Sequence, residues 1–369
     1  MDSMVLSNRQ IFWMIASMQM LMLILLTSSA TVQIAKQDAW ASSLLVVVMG
    51  TGIAYCCAKV STLYPGQTLI SFSHHLLGKW LGRFVSMLYI IYWIIVYAAI
   101  LRQFTSFIIG TILPETPITS ILLIMSLAVI YPAIQGITVI GRLSEVLGPI
   151  IVAGVLIPIL LAVNKMDLER LSPVFGDNNA LTVMSAAIPS APFLGDCIVL
   201  MMLISFLKQK KSVIRHSVFS VLLAGSGFVL SIFAVLMMFG PMVTGSSPYP
   251  LLLLVRSISI GGVVENLDAI MTAIWMMSIY IKLSLYLFAA SYGTAEWFGT
   301  KKWRPFVWWI SLIGGLIALI PRNYVEVSIV FPTEVAVPYI FPLLNVFLPL
   351  LMLIIALAKR KRTDQLPYG

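Results

Sequence analysis

Apolar runs of about twenty residues follow one another along almost the whole chain, and this repetition constrains the fold more than any single motif. A helix needs about 20 consecutive apolar residues to cross the hydrocarbon core of a bilayer. Only 10% of the 369 residues are charged, against about 25% in soluble domains. The pattern predicts an all-α integral membrane protein, with one transmembrane domain over residues 1–369. The predicted spans are 10–34, 40–59, 82–112, 118–138, 146–163, 180–206, 214–239, 267–298, 305–321 and 336–358.

The basic residues fall mainly on one side of these spans. If both termini are cytoplasmic, 16 of the 23 Lys and Arg residues lie on the inner side and five on the outer side. An excess of Lys and Arg marks cytoplasmic loops, so the net charge of +9 indicates orientation. Nucleic-acid binding is not expected, because no basic stripe interleaves with aromatic residues. Cleaving the first span as a signal peptide would invert every loop, so we expect it to be retained.

Span six contains three residues that disfavour a continuous helix. Pro189, Pro192 and Gly195 fall within seven residues of one another. Each proline removes a backbone donor and clashes with the preceding turn, so the sequence predicts an interrupted helix; a simple kink is the alternative. In span one the matching stretch is TSSATVQ, from Thr27 to Gln33, which is small and polar but has no Gly or Pro. Its hydroxyls can instead bond to backbone carbonyls and leave the helix whole.

Two ionisable residues of opposite sign lie near mid-depth, Asp196 after the span-six prolines and Lys282 in span eight. Lys282 is on the order of 20 Å from either interface, too far for its stem to reach water. A bare charge there costs about 3 kcal/mol or more, so the lysine is neutral, paired, or beside a wet cavity. We expect Asp196 and Lys282 to face one polar cavity. The alternative is a lysine that donates to backbone carbonyls at a helix break and has no ligand role.

The other polar and sulfur-containing residues carry no catalytic signature. Arg102, in the outer part of span three, is expected to meet an outer-facing acid or a lipid headgroup. Cys56, Cys57 and Cys197 lie inside apolar runs without metal-ligand spacing. The sequence has no H-E-x-x-H, G-x-S-x-G or P-loop motif. We therefore expect no enzymatic activity, no cofactor and no metal site.

Several stretches together resemble a known family. They are KQDAW before span two, LYPGQTLISFSHHLLGKWLG between spans two and three, QGITVIGRLSEVLGPI after span four, LSPVFGDN before span six, and ENLDAIMTAIWMMSIYIKLSLYLFAASYG in span eight. In this order, over nearly the whole chain, they resemble the B subunits of bacterial spore germinant receptors. These endospore-germination permeases belong to the amino acid–polyamine–organocation transporter superfamily. The resemblance implies a LeuT-like fold, with ten transmembrane helices in a 5+5 inverted repeat and helices 1 and 6 interrupted.

The resemblance also implies a function and a site. Such subunits lie in the spore inner membrane and work with an A subunit and a lipoprotein C subunit. They bind a small germinant, often an amino acid or sugar, and trigger ion release. The family's pocket lies at the breaks of spans one and six, with help from spans three and eight. Carried over by position, the ligand-binding candidates are Thr27, Ser28, Ser29, Tyr97, Pro192, Gly195, Asp196, Lys282 and Ser284.

The chain departs from the family pattern at two places, and two further readings stay open. After Gln19 the sequence reads MLMLILL where a pocket glycine is usual, and Asp196 stands where Glu is more frequent. One further reading is an amino-acid/cation symporter of the same superfamily, which uptake by the chain alone would favour. The other is a scaffold that has lost ligand binding.

Overall fold

The described part of the chain is helical. The computed structural model describes residues 4–176, 178–209, 211–258 and 267–364. The helices in chain order are α1 (Asn8–Ala35), α2 (Ala39–Leu63), α3 (Leu69–Leu77), α4 (Lys79–Thr111), α5 (Ile118–Gln135), α6 (Ile137–Ala162), α7 (Ala180–Ala187), α8 (Ala191–Gly195), α9 (Leu200–Leu203), α10 (Val213–Ser246), α11 (Pro250–Arg256), α12 (Leu267–Trp297), α13 (Arg304–Ala318) and α14 (Leu348–Asp364). Helices suit an apolar environment because they satisfy their own backbone hydrogen bonds.

Seven helical runs among the described residues are long and apolar enough to cross a membrane, and eight if the bent pair in span six is one crossing. The first run, Asn8–Leu63, holds both α1 and α2 on either side of a short 3₁₀ turn, Lys36–Asp38. The helix α13 is shorter than the other runs. The predicted span bounds and the count of ten crossings stay predictions.

The prediction of an interruption in the first span is wrong. The helix α1 runs without a break from Asn8 to Ala35. The hydroxyls of Thr27 and Ser28 each donate to the carbonyl four residues earlier, at 2.6 Å. This hydrogen bonding inside the helix uses the polar side chains without freeing backbone groups. Small polar residues alone therefore did not interrupt α1.

The prediction for the sixth span is confirmed. The helices α7 and α8 are separated by three residues, and the segments Ala180–Ala187 and Ala191–Phe206 are bent by 54° relative to each other. A 3₁₀ turn, Asp196–Val199, follows α8 directly. The span is thus both bent and locally tightened where the prolines and Asp196 occur.

The helix contacts repeat when the first five spans are matched to the second five. The helix α1 packs on α10, and correspondingly α7 and α8 pack on α2. Likewise the contact of α4 with α13 corresponds to the contact of α12 with α5. The contact of α2 with α14 corresponds to the contact of α10 with α6. The helices α4 and α12, which correspond to each other, are also in contact. This is the pattern of an inverted repeat, which places the bent span among α1, α2, α4 and α12.

Two of the sequence motifs meet on the side where α6 and α7 are connected. Asp38, from KQDAW, is buried and accepts hydrogen bonds from the backbone N–H of Phe175 at 2.9 Å and from Asn178 Nδ2 at 2.7 Å. Gln37 Nε2 donates to the carbonyl of Pro173 at 3.0 Å. These bonds attach the connection before α7 to the turn between α1 and α2, and so fix the entry to the bent span.

The apolar segment YPLLLLV, between α10 and α12, forms α11. Most of its side chains are buried, and it packs against α1, α6, α10 and α12.

The last span begins differently from the others. Residues Pro332–Phe347, which we call the π segment, form wide helical turns that continue into α14. Such turns are rare in proteins, and those that occur are often found at functional sites. The π segment packs against α8, beside the bend.

Candidate functional site

The bend in the sixth span is supported by side chains of α1. Pro192 lies in the first turn of α8, where the missing N–H has no helical partner to lose. Ser190, in the bend, shares a hydrogen bond of 3.0 Å with the hydroxyl of Thr31. Gln19 Nε2 donates to the carbonyl of Leu194 at 2.8 Å. Backbone groups freed at membrane depth are tolerated only when protein or water satisfies them. Gln19 satisfies one such carbonyl, whereas Thr31 bonds to a side-chain hydroxyl of the bend.

An ion pair lies directly after α8. Lys282 Nζ is 2.6 Å from Asp196 Oδ2, and the two side chains are 0% and 8% exposed. The predicted pairing of these residues is confirmed. Their attraction offsets the cost of removing both charges from water only when further hydrogen bonds complete the site.

Those further hydrogen bonds come from α4 and the π segment. The Tyr92 hydroxyl donates to Asp196 Oδ1 at 2.9 Å, and Asn345 Nδ2 donates to the Tyr92 oxygen at 3.1 Å. The ring of Phe193 lies 5.6 Å from Lys282 Nζ, within range of a cation–π attraction. Each carboxylate oxygen therefore has its own donor, and the network joins the bent span to α4, α12 and the π segment.

A cavity of about 80 Å³ opens beside this network. About 10–15 Å³ is enough for one water molecule, so the cavity can hold a small solute or several waters. Its polar end is formed by the ion pair, Tyr92 and Asn345, and most of its wall is apolar. The residues that line it are Tyr92, Ile95, Val96, Ala99, Ile100, Gln103, Pro192, Phe193, Asp196, Lys282, Phe331, Pro332, Ala336, Ile340, Phe341 and Asn345.

Unused hydrogen-bonding atoms lie close to the polar end. Among the described residues, the Tyr286 hydroxyl, Asn345 Oδ1 and Gln19 Oε1 are buried and have no hydrogen-bond partner. Tyr286 lies one helical turn from Lys282 on α12, and Gln19 contacts the residue two before Asp196. Buried polar atoms in proteins are nearly always satisfied. Of the three residues only Asn345 lines the cavity, so its Oδ1 is the atom among them that can accept a hydrogen bond from a molecule bound there.

The structure brings four of the predicted site residues together. Pro192, Asp196 and Lys282 line the cavity. Gly195 borders it, because a Cβ atom at this position would lie 3.2 Å from Asn345 Nδ2 and would press on the Phe341 ring. The absence of a side chain at Gly195 thus allows the π segment to approach α8 closely.

The other five predicted site residues are not among the residues that line the cavity. Thr27 and Ser28 bond within α1, and Ser284 donates to the carbonyl of Tyr280 in its own helix at 2.7 Å. Ser29 donates to the carbonyl of Gly245, and the Tyr97 hydroxyl lies 3.2 Å from that of Ser311. Among the described residues that line the cavity, none belongs to α1. The structure therefore centres the candidate site on α4, α8, α12 and the π segment.

Tyr92, Tyr286 and Asn345 were not among the site residues predicted from sequence. Asn345 carried a usable signal, because it is a lone amide in the otherwise apolar stretch FPLLNVFLPL. Tyr92 and Tyr286 carried none, since aromatic residues in membrane helices are usually packing or interfacial residues. Arg102 was predicted to meet an acid or a lipid headgroup, and Glu326, an acid near the start of the last span, attracts its charge without a direct ion pair. Arg102 is buried and donates to the backbone carbonyl of Arg322 at 3.2 Å.

The chemistry available at the site is that of binding. The cavity is lined by one carboxylate, one ammonium group, a phenolic hydroxyl and the amides of Gln103 and Asn345. The described residues contain no group of three or more His, Cys, Asp or Glu side chains able to hold a metal ion. A carboxylate and an ammonium group at one end of an apolar cavity can recognise a small molecule that carries complementary polar groups.

The family model and the relatives that match this chain point to the same family. A family model described as "Spore germination protein" matches residues 5–327. Spore germination protein YndE of Bacillus subtilis (strain 168) is 28% identical over 265 residues, which cover 69% of this chain and 70% of that protein. Spore germination protein KB of the same organism is 25% identical over 283 residues, covering 76% and 75%.

A solved structure shares the fold. The crystal structure of MhsT in complex with L-phenylalanine aligns with a TM-score of 0.65 and 15% sequence identity, covering 95% of this chain and 88% of that chain. At this identity the likeness concerns the fold, which is LeuT-like. It agrees with the inverted repeat of helix contacts and with the bent sixth span. Because the family match extends over most of its length, the chain belongs to the spore germination protein family of multi-pass, permease-like membrane proteins.

Proposed function

We propose that this protein is the nutrient-sensing membrane subunit of a spore germinant receptor. It binds a small molecule in the cavity beside Asp196 and Lys282, and binding triggers germination through partner subunits or ion release. The observation that carries the proposal is the buried 2.6 Å ion pair at the bend of the sixth span, which opens on an otherwise apolar cavity. In a lipid environment such a pair marks a functional site by default.

The charge balance of the site favours a zwitterionic or neutral ligand. Asp196 and Lys282 together carry no net charge. A singly charged ligand would leave one uncompensated charge in a medium of low dielectric constant, and the effective penalty is several kcal/mol. A zwitterion exchanges one internal ion pair for two external pairs, with its ammonium group on Asp196 and its carboxylate on Lys282.

The cavity walls favour an amino acid with a small apolar side chain. Ile95, Val96, Ala99 and Ile340 are among the apolar residues beyond the polar end. The L-phenylalanine named for MhsT supports the amino-acid class for a chain of this fold. A sugar would need more hydrogen-bonding partners than the described lining residues provide at the apolar end.

The proposed setting is the inner membrane of the spore, with both termini on the cytoplasmic side, as the distribution of Lys and Arg indicates. The proposed partners are a germinant receptor A subunit and a lipoprotein C subunit. The described residues form a bundle of membrane helices. Such a bundle can pass on ligand binding through a conformational change that a partner subunit detects or that opens an ion path.

The test is direct binding to the purified full-length chain in lipid nanodiscs. We expect radiolabelled small apolar amino acids to bind, and Lys282→Met and Asp196→Asn to weaken binding at least tenfold. Ser284→Ala is the matched control on α12, because that hydroxyl bonds to its own helix. Equal binding by all four proteins would reject the site.

The second candidate function is an amino-acid/cation symporter, and the shared fold with MhsT favours it. The two functions differ in net movement of the ligand. Proteoliposomes that contain this chain alone would accumulate labelled amino acid if it is a symporter. Binding without accumulation would support the sensor.

A further inference from the structure

The ligand cavity is a narrow slot that extends outward from the ion pair along α4. Its α4 residues begin at Tyr92 and continue on one helix face through Val96 and Ala99 to Gln103. Tyr92 and Gln103 are about 16 Å apart along the helix axis. A volume of about 80 Å³ spread over this length forms a passage and not a compact chamber. The outer side is the one that the distribution of Lys and Arg indicates.

The opposite direction, from the ion pair toward the inner side, is closed by packed side chains. Residues 283–290 of α12 are at most 1% exposed, and residues 200–203 of the sixth span are fully buried. Aromatic side chains pack together there, with the Phe288 ring 5.9 Å from that of Phe206 and 5.3 Å from that of Trp303. In the described part of the chain, the free space next to the ion pair therefore lies on its outer side.

Two α4 side chains hold the backbone of the last span at the two ends of this slot. At the inner end, Tyr89 Oη donates to the carbonyl of Leu344 at 2.9 Å, and Tyr89 is fully buried. At the outer end, Gln103 Nε2 donates to the carbonyl of Val327 at 3.1 Å. Gln103 lines the slot, whereas Tyr89 does not. The outer bond is therefore the one that a molecule moving along the slot meets.

The chain between these two bonds is built to bend. The π segment contains Pro338 and Pro342 within its wide turns. Proline has no N–H, so each of them removes one backbone hydrogen bond that would resist bending. Before the π segment, Arg102 holds the carbonyl of Arg322. If the Gln103 bond breaks, the chain stays attached at both ends and its middle part can move away from α4.

We propose that the ligand enters from the outer side through the slot between α4 and the last span, and that the hydrogen bond from Gln103 to the Val327 carbonyl is the latch of this entrance. The inference rests on the proposed function, which supplies the ligand. The latch opens while a ligand passes and closes again once the ligand lies at Asp196 and Lys282. Because the bond is present both before and after binding, it controls the rates of entry and exit and leaves the affinity unchanged.

The first experiment measures access to a thiol in the slot and needs no ligand. Ala99→Cys is introduced into a Cys56→Ala chain, because the other two cysteines are fully buried. A membrane-impermeant methanethiosulfonate cation is added to right-side-out or inverted vesicles that contain the full-length chain. Gln103→Leu removes the latch. Gln33→Leu is the matched control, because the Gln33 amide donates to the Gly245 carbonyl at 2.7 Å and does not line the slot.

We expect the thiol to react from the outer side, about fivefold faster in Gln103→Leu than in the chain with the latch, as loss of one hydrogen bond predicts. Gln33→Leu should leave the rate unchanged. Equal rates in the two variants, faster reaction from the inner side, or no reaction from either side would overturn the proposal.

The second experiment follows the binding kinetics of L-alanine and L-valine on the full-length chain in nanodiscs. In Gln103→Leu we expect the association and dissociation rate constants to rise by the same factor, about fivefold, with Kd unchanged. A changed Kd without faster association would show that Gln103 supports the site or contacts the ligand, and would overturn the latch. Absence of binding by the unsubstituted chain rejects the proposed function, whereas unaltered thiol access rejects the entrance, so the two failures are distinguishable.

Discussion

The ion pair is maintained by the number of hydrogen bonds around it rather than by attraction alone. Asp196 accepts one bond on each oxygen, from Lys282 and from Tyr92. A buried pair without such partners is often less stable than a well-packed apolar substitute. The pairing could be predicted because Asp196 is the one acid, and Lys282 the one base, that the sequence places near the middle of the membrane. Tyr92 could not, since which aromatic side chain of α4 faces the bent span depends on helix packing.

Removal of the ammonium group is expected to destabilise the fold. Lys282→Met leaves the Asp196 carboxylate buried without a cation, and breaking a buried pair in this way costs about 3–5 kcal/mol. Asp196→Asn in the same chain removes the stranded charge. The Lys282→Met/Asp196→Asn double variant should therefore recover at least half of the lost stability. Thermal unfolding of the four purified proteins in detergent measures this cycle, and strictly additive losses would contradict it.

Two tyrosines of α4 make a matched test of the network. Tyr92→Phe removes the donor to Asp196 and the acceptor of Asn345. Leaving such partners unsatisfied costs about 1–3 kcal/mol, so ligand affinity should fall about tenfold. Tyr97→Phe removes only a bond to Ser311 outside the cavity and should leave the affinity unchanged. Equilibrium binding to nanodiscs compares the two, and an equal loss in both would argue against the network.

At the scale of elements, proline predicted an interruption correctly and small polar residues did not. Pro189 removes a helical N–H donor, and Pro192 and Gly195 follow within the same seven residues, so the bend in the sixth span could be predicted from sequence. Single prolines inside α5 and α6 leave those helices continuous. Thr27 and Ser28 have a choice between bonding inside the helix and outside it. Packing around α1 decides that choice, and in the structure both bond inside. The π segment had no signal that separates its wide turns from ordinary proline kinks.

The bend itself should depend on Gln19 more than on the hydroxyls of α1. Gln19→Leu removes the donor to the Leu194 carbonyl, and an unsatisfied buried carbonyl costs about 1–3 kcal/mol. Thr27→Val on the same helix keeps the shape and removes only a bond within the helix. We expect faster amide hydrogen exchange over residues 188–196 in Gln19→Leu but not in Thr27→Val. Identical exchange in the two variants would show that α1 does not support the bend.

At the scale of the molecule, the short helix α3 joins the two helices that lead from the site. Near its N-terminus, Thr68 donates to Glu296 of α12 at 2.6 Å, and near its C-terminus Lys359 of α14 donates to the carbonyl of Leu76 at 2.9 Å. An acid near the start of a helix and a cation near its end are both favourable positions. The helix α12 carries Lys282, and α14 continues from the π segment that carries Asn345. Movement at the ion pair is therefore connected to the face of the molecule where α3 lies.

The ten-helix prediction requires the short helix α13 to cross the membrane. Its 15 residues span roughly 22 Å at 1.5 Å per residue, less than the hydrocarbon thickness of about 30 Å. A short helix can still cross if the bilayer thins or if flanking residues extend the reach. The inverted repeat requires this crossing, since α13 corresponds to α5 in the pattern of helix contacts. Its two ends must then lie on opposite sides of the membrane.

Cysteine labelling at the two ends of α13 tests whether this helix crosses the membrane. In a Cys56→Ala background, where the remaining Cys57 and Cys197 are fully buried, Lys301→Cys and Asn323→Cys place one exposed thiol at each end. An impermeant maleimide should label Asn323→Cys in intact cells and Lys301→Cys only after the membrane is permeabilised. This is the sidedness that the excess of inner Lys and Arg predicts. Labelling of both positions from one side would mean that α13 lies within a single leaflet, and the two halves of the molecule would then not be equivalent.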